Sequence, residues 1–215
     1  MDFGVIIENW RFLAKGLSVT FILSITSGFF SLLIGIFLAV GRLSKNKFVK
    51  YPVTIYIEFI RSIPLIMFIF WVYFLLPLII KFPISDFNSV LIALIGFNCT
   101  YFAEVVRGGI QSIPSGQAQA GISSGLSYYH VMKDIVLPQA LVIMVPPLIS
   151  RFIALFMGTS LAYIIGIIEF FRAATILNNR TFKSVEIYVF VGVVYFICDY
   201  LMSLGSKKLE RKWEY

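Results

Sequence analysis

From Leu17 to Val40 the chain reads LSVTFILSITSGFFSLLIGIFLAV, without a single charged residue. A run of this kind leaves few folds open, because about 20 apolar residues in a helix cross the ~30 Å hydrocarbon layer of a bilayer. Inside lipid every backbone amide and carbonyl must be paired within the protein, which restricts spanning segments to helices or closed barrels. The alternating pattern of a barrel strand is absent, so the run reads as a helix. Four more runs follow, at about Val53 to Pro77, Val90 to Ile110, Leu141 to Ile168 and Ile187 to Leu204. The expectation is an all-α integral membrane protein, a single domain of five transmembrane helices over residues 1–215.

Composition agrees: 59% of residues are hydrophobic, 13% are charged, and the mean hydropathy is +0.90. These values exclude the soluble globular class. The formal charge of +7 is read as a record of membrane orientation, and nucleic acid is not expected as a partner. With the N-terminus outside, ten Lys and Arg residues fall on the inner side and six on the outer, while Arg61 and Arg151 lie within spans. The surplus on the inner side predicts N-out and C-in, led by the acid-free turn carrying Arg42, Lys45, Lys47 and Lys50. The sequence MDFGVIIENWRFLAKG lacks the features of a removable leader. Cys99 and Cys198 sit in apolar runs and imply no disulfide. The closing KKLERKWEY is expected to extend the last helix, with Trp213 and Tyr215 placed at the interface or simply solvated.

One segment interrupts this pattern with small and polar residues: GQAQAGISSGLSYYHVMKDIVLPQA, from Gly116 to Ala140. Pro114 and Ser115 form a helix start, with the Ser oxygen available as a cap. A short helix through Gln117, Ala118, Gln119 and Ala120 would present small side chains, and Gly125 allows a turn at positive φ. From Tyr128 to Val136 a second short helix is expected along the membrane surface, made rigid by packed Tyr128 and Tyr129. Pro138 would then open the next crossing. A ridge of small side chains suits insertion into a groove of another protein. An amphipathic hairpin tucked against the bundle is the competing reading.

Gln119, Ala120, Gly121, Gly125 and the run Ile135, Val136, Leu137 and Pro138 resemble the EAA loop of permease subunits in ABC importers. Gln119 stands where that family has Glu, and Gly121 where it has Ala. The likeness extends upstream through NCTYFAEVVRGGIQSIPSGQ and YIEFIRSIPLIMFIF, and downstream through LPQALVIMVPPLISRFIALFMGTSLAYIIGIIEF, where Thr159, Ser160, Gly166 and Glu169 match. The chain resembles polar amino acid permeases, including those for glutamate and aspartate, glutamine, arginine and histidine. That resemblance implies a bacterial inner-membrane permease of the type I importer fold. The implied partners are an ABC ATPase subunit that binds ATP and Mg, a second permease subunit in a homo- or heterodimer, an extracytoplasmic amino-acid-binding protein, and membrane lipid. No cofactor and no catalytic residue belong to the permease itself.

The loop, about residues 113–138, would seat on the ATPase through Gln117, Gln119, Ala120, Gly121, Gly125, Leu126, Ile135, Leu137 and Pro138. By the same resemblance, substrate would be met between the third and fourth spans, by Asn98, Glu104, Thr159 and Ser160, with Arg151 beside them. Ionisable groups in spans are costly and usually functional. Glu104 and Arg107 share a helix face, so an intrahelical ion pair with a packing role competes with a substrate role. The family often has an Asp just before the Thr, whereas this chain has Met157 and Gly158. With that acid gone and Arg151 kept, the field favours an anionic substrate such as glutamate or aspartate; alternatively, this is the half of a heterodimer that binds none. His130 is alone and no metal ligand set is visible. The sequence holds no GxxxxGK[ST] phosphate cradle, so energy must come from a partner or from an ion gradient. A secondary transporter working alone is the alternative, although no internal repeat is present.

Overall fold

Small residues facing inward organise the molecule. In α2 (Trp10–Leu43), Gly16, Thr20, Ser24, Ser27, Ser31, Gly35 and Ala39 are buried at spacings of three and four, with Gly28 beside Ser27. Phe21, Ile25, Phe29, Phe37 and Val40 on the opposite face are exposed, as befits a surface whose solvent is lipid. Small residues let helix backbones approach closely. At Gly35 a Cβ would stand 2.8 Å from the Phe102 Cβ and 3.0 Å from the Cys99 carbonyl oxygen, so only glycine fits this crossing with α6 (Asp86–Gln111). The Ser31 hydroxyl donates to the Ile95 carbonyl at the same contact, 3.3 Å away.

This computed structural model describes residues 3–213, with side chains described through residue 206. Short α1 (Gly4–Glu8) precedes α2. After the turn at Ser44 comes α3 (Lys47–Arg61), then Ser62 to Pro64 in non-helical conformation, then α4 (Leu65–Phe70), a π turn over Trp71–Leu75 and α5 (Leu76–Ile80). The expected second crossing is thus a broken span, bent by 108° between Lys47–Arg61 and Leu65–Ile80. Pro64 explains the break, because a proline pushes the residue before it out of the α region and cannot donate to the preceding turn.

Past α6 lie α7 (Ser115–Ser123) and α8 (Tyr128–His130), and a π turn over Val131–Val136 leads into α9 (Leu137–Gly158) and a 3-10 segment, Thr159–Ile165. Tyr128–Ile165 runs as one continuous membrane-competent helix. Pro138 therefore lies inside a helix rather than opening one. The π turn makes this possible: the Leu137 N–H reaches back to the Met132 carbonyl, and the widened turn relieves the carbonyl that a proline ring would otherwise strike. The same device precedes Pro77, where the Leu76 N–H reaches the Trp71 carbonyl.

Gly166, at φ 101°, turns the chain into α10 (Phe170–Thr181), and α11 (Ser184–Trp213) completes the fold. Tyr215 lies outside the described residues, as do the side chains of the tail. Among the described residues four helices are long and apolar enough to cross a membrane, and the bent pair, taken as one span, gives five; the expected all-α membrane bundle is present. The short α10 was not expected. Its start is fastened by Glu169, whose carboxylate accepts from the Phe171 and Arg172 amides at 2.8 and 2.7 Å and from the Thr20 hydroxyl of α2 at 3.4 Å. Burial pushes this carboxyl up to about 7, against the pull of those donors.

Candidate functional site

Two places gather chemistry, one within the bundle and one at the end where the Ser44 turn and α7 lie. Within the bundle, Asn98, Tyr101, Glu104 and Arg107 recur every three residues along α6, so each neighbours the next on a strip that winds round the helix. Glu104 is the hub. One carboxylate oxygen takes Arg42 of α2 at 2.7 Å and the Arg107 Nε at 3.0 Å. Its other oxygen takes Arg107 at 2.8 Å and Arg61 of α3 at 3.4 Å. Arg42 also reaches Glu58 of α3, at 2.6 Å, while Arg107 donates to Gln111. The pair with Arg107 is the one its spacing predicts, and it is a fraction of what the carboxylate does. Glu104 joins three helices at a point where only 16% of its side chain is exposed. In so dry a place an unpaired carboxylate would be costly, and three guanidinium groups remove that cost.

Arg151 of α9 stands apart from the carboxylates. It donates to the Asn98 side-chain oxygen at 2.6 Å, and its guanidinium lies 3.7 Å from the centre of the Tyr101 ring. Arg61 approaches the same ring at 5.1 Å, so a single aromatic face steadies two cations. The Arg151 Nε is buried without a hydrogen-bond partner. A guanidinium carries five N–H donors in a fork that matches a carboxylate, and this one has most of its capacity unspent. Four arginines here, Arg42, Arg61, Arg107 and Arg151, face two carboxylates, Glu58 and Glu104.

Of the expected substrate residues, the structure brings together Asn98 and Arg151, whereas Glu104 is engaged by Arg42, Arg61 and Arg107. It places Thr159 and Ser160 at the far end of α9, where their hydroxyls donate within the helix to the Phe156 and Met157 carbonyls at 2.7 and 2.8 Å. Arg42 and Tyr101 escaped the sequence reading as site residues. Arg42 was absorbed into the charge bias, whereas Tyr101 was detectable from its place between Asn98 and Glu104.

At the loop end, α7 begins after Pro114 without a side-chain cap, contrary to the role expected of Ser115. It ends in a Schellman motif: the Leu126 N–H bonds the Gly121 carbonyl at 3.1 Å, with Gly125 at φ 86°. Gly121 faces inward. A Cβ there would lie 2.8 Å from Ile135 and 2.9 Å from Val131, which accounts for glycine at this position. Gln117, Gln119, Ala120, Ile122 and Leu126 are exposed, and Val131 and Val136 are buried beneath α7. Leu137 and Pro138 remain exposed and Ile135 half-buried. Tyr128 and Tyr129 are 68% and 66% exposed, so they do not stiffen the loop as expected. Stiffness comes instead from the unbroken helix that starts at Tyr128, with His130 bonded to Asp134 at 3.0 Å one turn on. Among the described residues no group of acidic, His or Cys side chains could hold a metal.

A bundle with half-buried, mutually paired charged groups between its helices and a stiff helix at one end has the construction of a membrane-embedded transport subunit. Residues 31–215 match the family of binding-protein-dependent transport system inner membrane components, and the chain belongs to that family. It is 35% identical to the glutamate/aspartate import permease protein GltK of Escherichia coli O6:H1, over 98% of this chain and 97% of that one. It is 31% identical to the probable glutamine ABC transporter permease protein GlnM of Bacillus subtilis (strain 168), covering 100% and 99%. A solved structure described as an amino acid ABC transporter with histidines superposes with a TM-score of 0.92 at 27% identity, covering 99% of each chain.

Proposed function

We propose that this chain is the permease subunit of an ATP-driven amino-acid importer and that its substrates are acidic amino acids. The observation that carries the substrate class is Arg151: a half-buried guanidinium with one committed hydrogen bond, a buried and unpartnered Nε and surplus positive charge around it. A side-chain or α-carboxylate would complete its donor set, as would be expected where an ionisable group is kept inside a span. Relatives named for glutamate and aspartate and for glutamine frame the choice. The ridge of Gln117, Gln119, Ala120, Ile122 and Leu126 would seat on a separate ATPase subunit that binds ATP and Mg. The binding protein would dock at the opposite end. In that arrangement the loop would lie in the cytoplasm with the N-terminus outside, and a transporter working alone is the alternative it replaces.

The test is uptake by the reconstituted complex of both permease subunits, the ATPase and the binding protein. Arg151→Gln should lower glutamate uptake on the order of tenfold or more, from the loss of a hydrogen bond to a charged group. A second reading has its own support, since the Thr159 and Ser160 hydroxyls are spent within their helix. In it the partner permease binds the substrate, and Arg151→Gln leaves uptake unchanged.

A further inference from the structure

Where the ends of α2 and α6 meet the helix that starts at Tyr128 lies a cavity of about 590 Å³, lined also by Leu137, that shares no residue with the ionic cluster or with α7. Val40 and Leu43 from the end of α2, Ile110 from α6 and Met132 from the π turn give it apolar walls. Its polar side chains are Ser44, Lys45 and Tyr128, the last two exposed. Lys47 and Lys50 follow, and no acidic residue occurs between Gly41 and Ile57. None of these three lysines forms an ion pair within the described residues. Phe48, set among them, is 90% exposed, where water would be a poor solvent for it and a lipid headgroup layer a good one.

We infer that this cavity is a binding site for an anionic phospholipid, with its phosphate at Lys45 and an acyl chain along Val40, Leu43, Ile110 and Met132. The combination of an apolar slot at the end of the spans and the unpaired Lys45 lining it, with Lys47 and Lys50 following in sequence, is the charge and shape complement of such a lipid, and basic pockets between spans at the membrane surface hold anionic headgroups. A zwitterionic lipid would fill the slot without using the lysines. The occupant would touch Met132 and Tyr128, which begin the helix that continues through α9. The lipid would therefore brace the base of the loop.

Native mass spectrometry of the intact complex tests the site, after exposure to phosphatidylglycerol or to phosphatidylcholine with the same chains. Phosphatidylglycerol should be retained preferentially, about fivefold less with Lys45→Gln, from roughly 1 kcal/mol for each basic residue at the surface. Met132→Trp, which fills the slot and leaves the charge unchanged, should also reduce retention. Equal retention of the two lipids, or retention indifferent to both substitutions, would overturn the proposal. Displacement by inorganic phosphate would do so as well, since it marks a soluble-anion site, and so would a cross-link from position 45 to the ATPase, which marks a protein contact. Retention is read without transport, so failure here leaves the importer reading intact.

Discussion

The buried cluster and the exposed loop use opposite means to hold position. Glu104 sits among three arginines from three helices, and its geometry depends on charge neutralised where water is scarce. The loop carries almost no charge on its outer face: Gln117, Gln119, Ala120 and Ile122 point outward, and Gly121 is sealed against Val131 and Ile135. Removing one charge from the cluster should therefore be felt through the whole bundle, whereas adding one to the loop should be felt by a partner alone. A moving part gripped from outside needs shape and stiffness, and a charged seam between helices needs matched partners.

Glu104→Gln should have the largest effect. It leaves three guanidinium groups in a half-dry site without their shared counterion, and breaking a buried pair costs about 3–5 kcal/mol. Thermal unfolding of the purified complex should show a clear loss, and Glu58→Gln, at an exposed carboxylate, a much smaller one. Equal losses would erase the distinction between hub and periphery. Next comes Gly121→Leu, which drives carbon into Ile135 and Val131; overpacking costs about 1–3 kcal/mol. Uptake should fall along with stability. Ala120→Asp, one residue away but exposed, should shift unfolding by about 0.5 kcal/mol or less while abolishing substrate-stimulated ATPase activity and uptake. Normal uptake in that variant would mean the outer face of α7 is not a docking surface.

The smallest effect concerns pH. The Glu169 carboxyl sits at about 7 in the folded protein against an ordinary 4.5. The folded form therefore keeps a proton that the unfolded chain releases, and stability contributed by this group falls as pH rises from about 4.5 to 7. Glu169→Gln should flatten that part of the profile of melting temperature against pH. An unchanged slope would remove Glu169 as its source.

Much of the architecture could be read directly. α2, α6, α9 and α11 are built on long, predominantly apolar runs, and lipid leaves such runs one conformation. The second crossing is legible as one run from Val53 to Pro77 because Ile63 and Leu65 flank Pro64, and hydropathy does not register a 108° bend. The short α10 is amphipathic, too polar for a span, so it passed as a connection. Pro138 read as a helix start because proline usually is one, and the π turn that shelters it has no sequence signature. In the site, Arg107 was visible from its spacing to Glu104, but Arg42, 62 residues away in sequence, could only be brought there by the packing of α2 on α6. Gly121 carried a hint in its departure from the family pattern, and its cause, contact with Ile135 and Val131, lies in the tertiary fold.

The central claim is that the outer face of α7 is the seat of the ATPase subunit. A photo-crosslinking residue placed at Gln119, on that face, in the complete importer should capture the ATPase, while the same residue at Ile197, on the exposed face of α11, should capture lipid or nothing. Capture of the ATPase from position 197 with none from 119 would contradict the account.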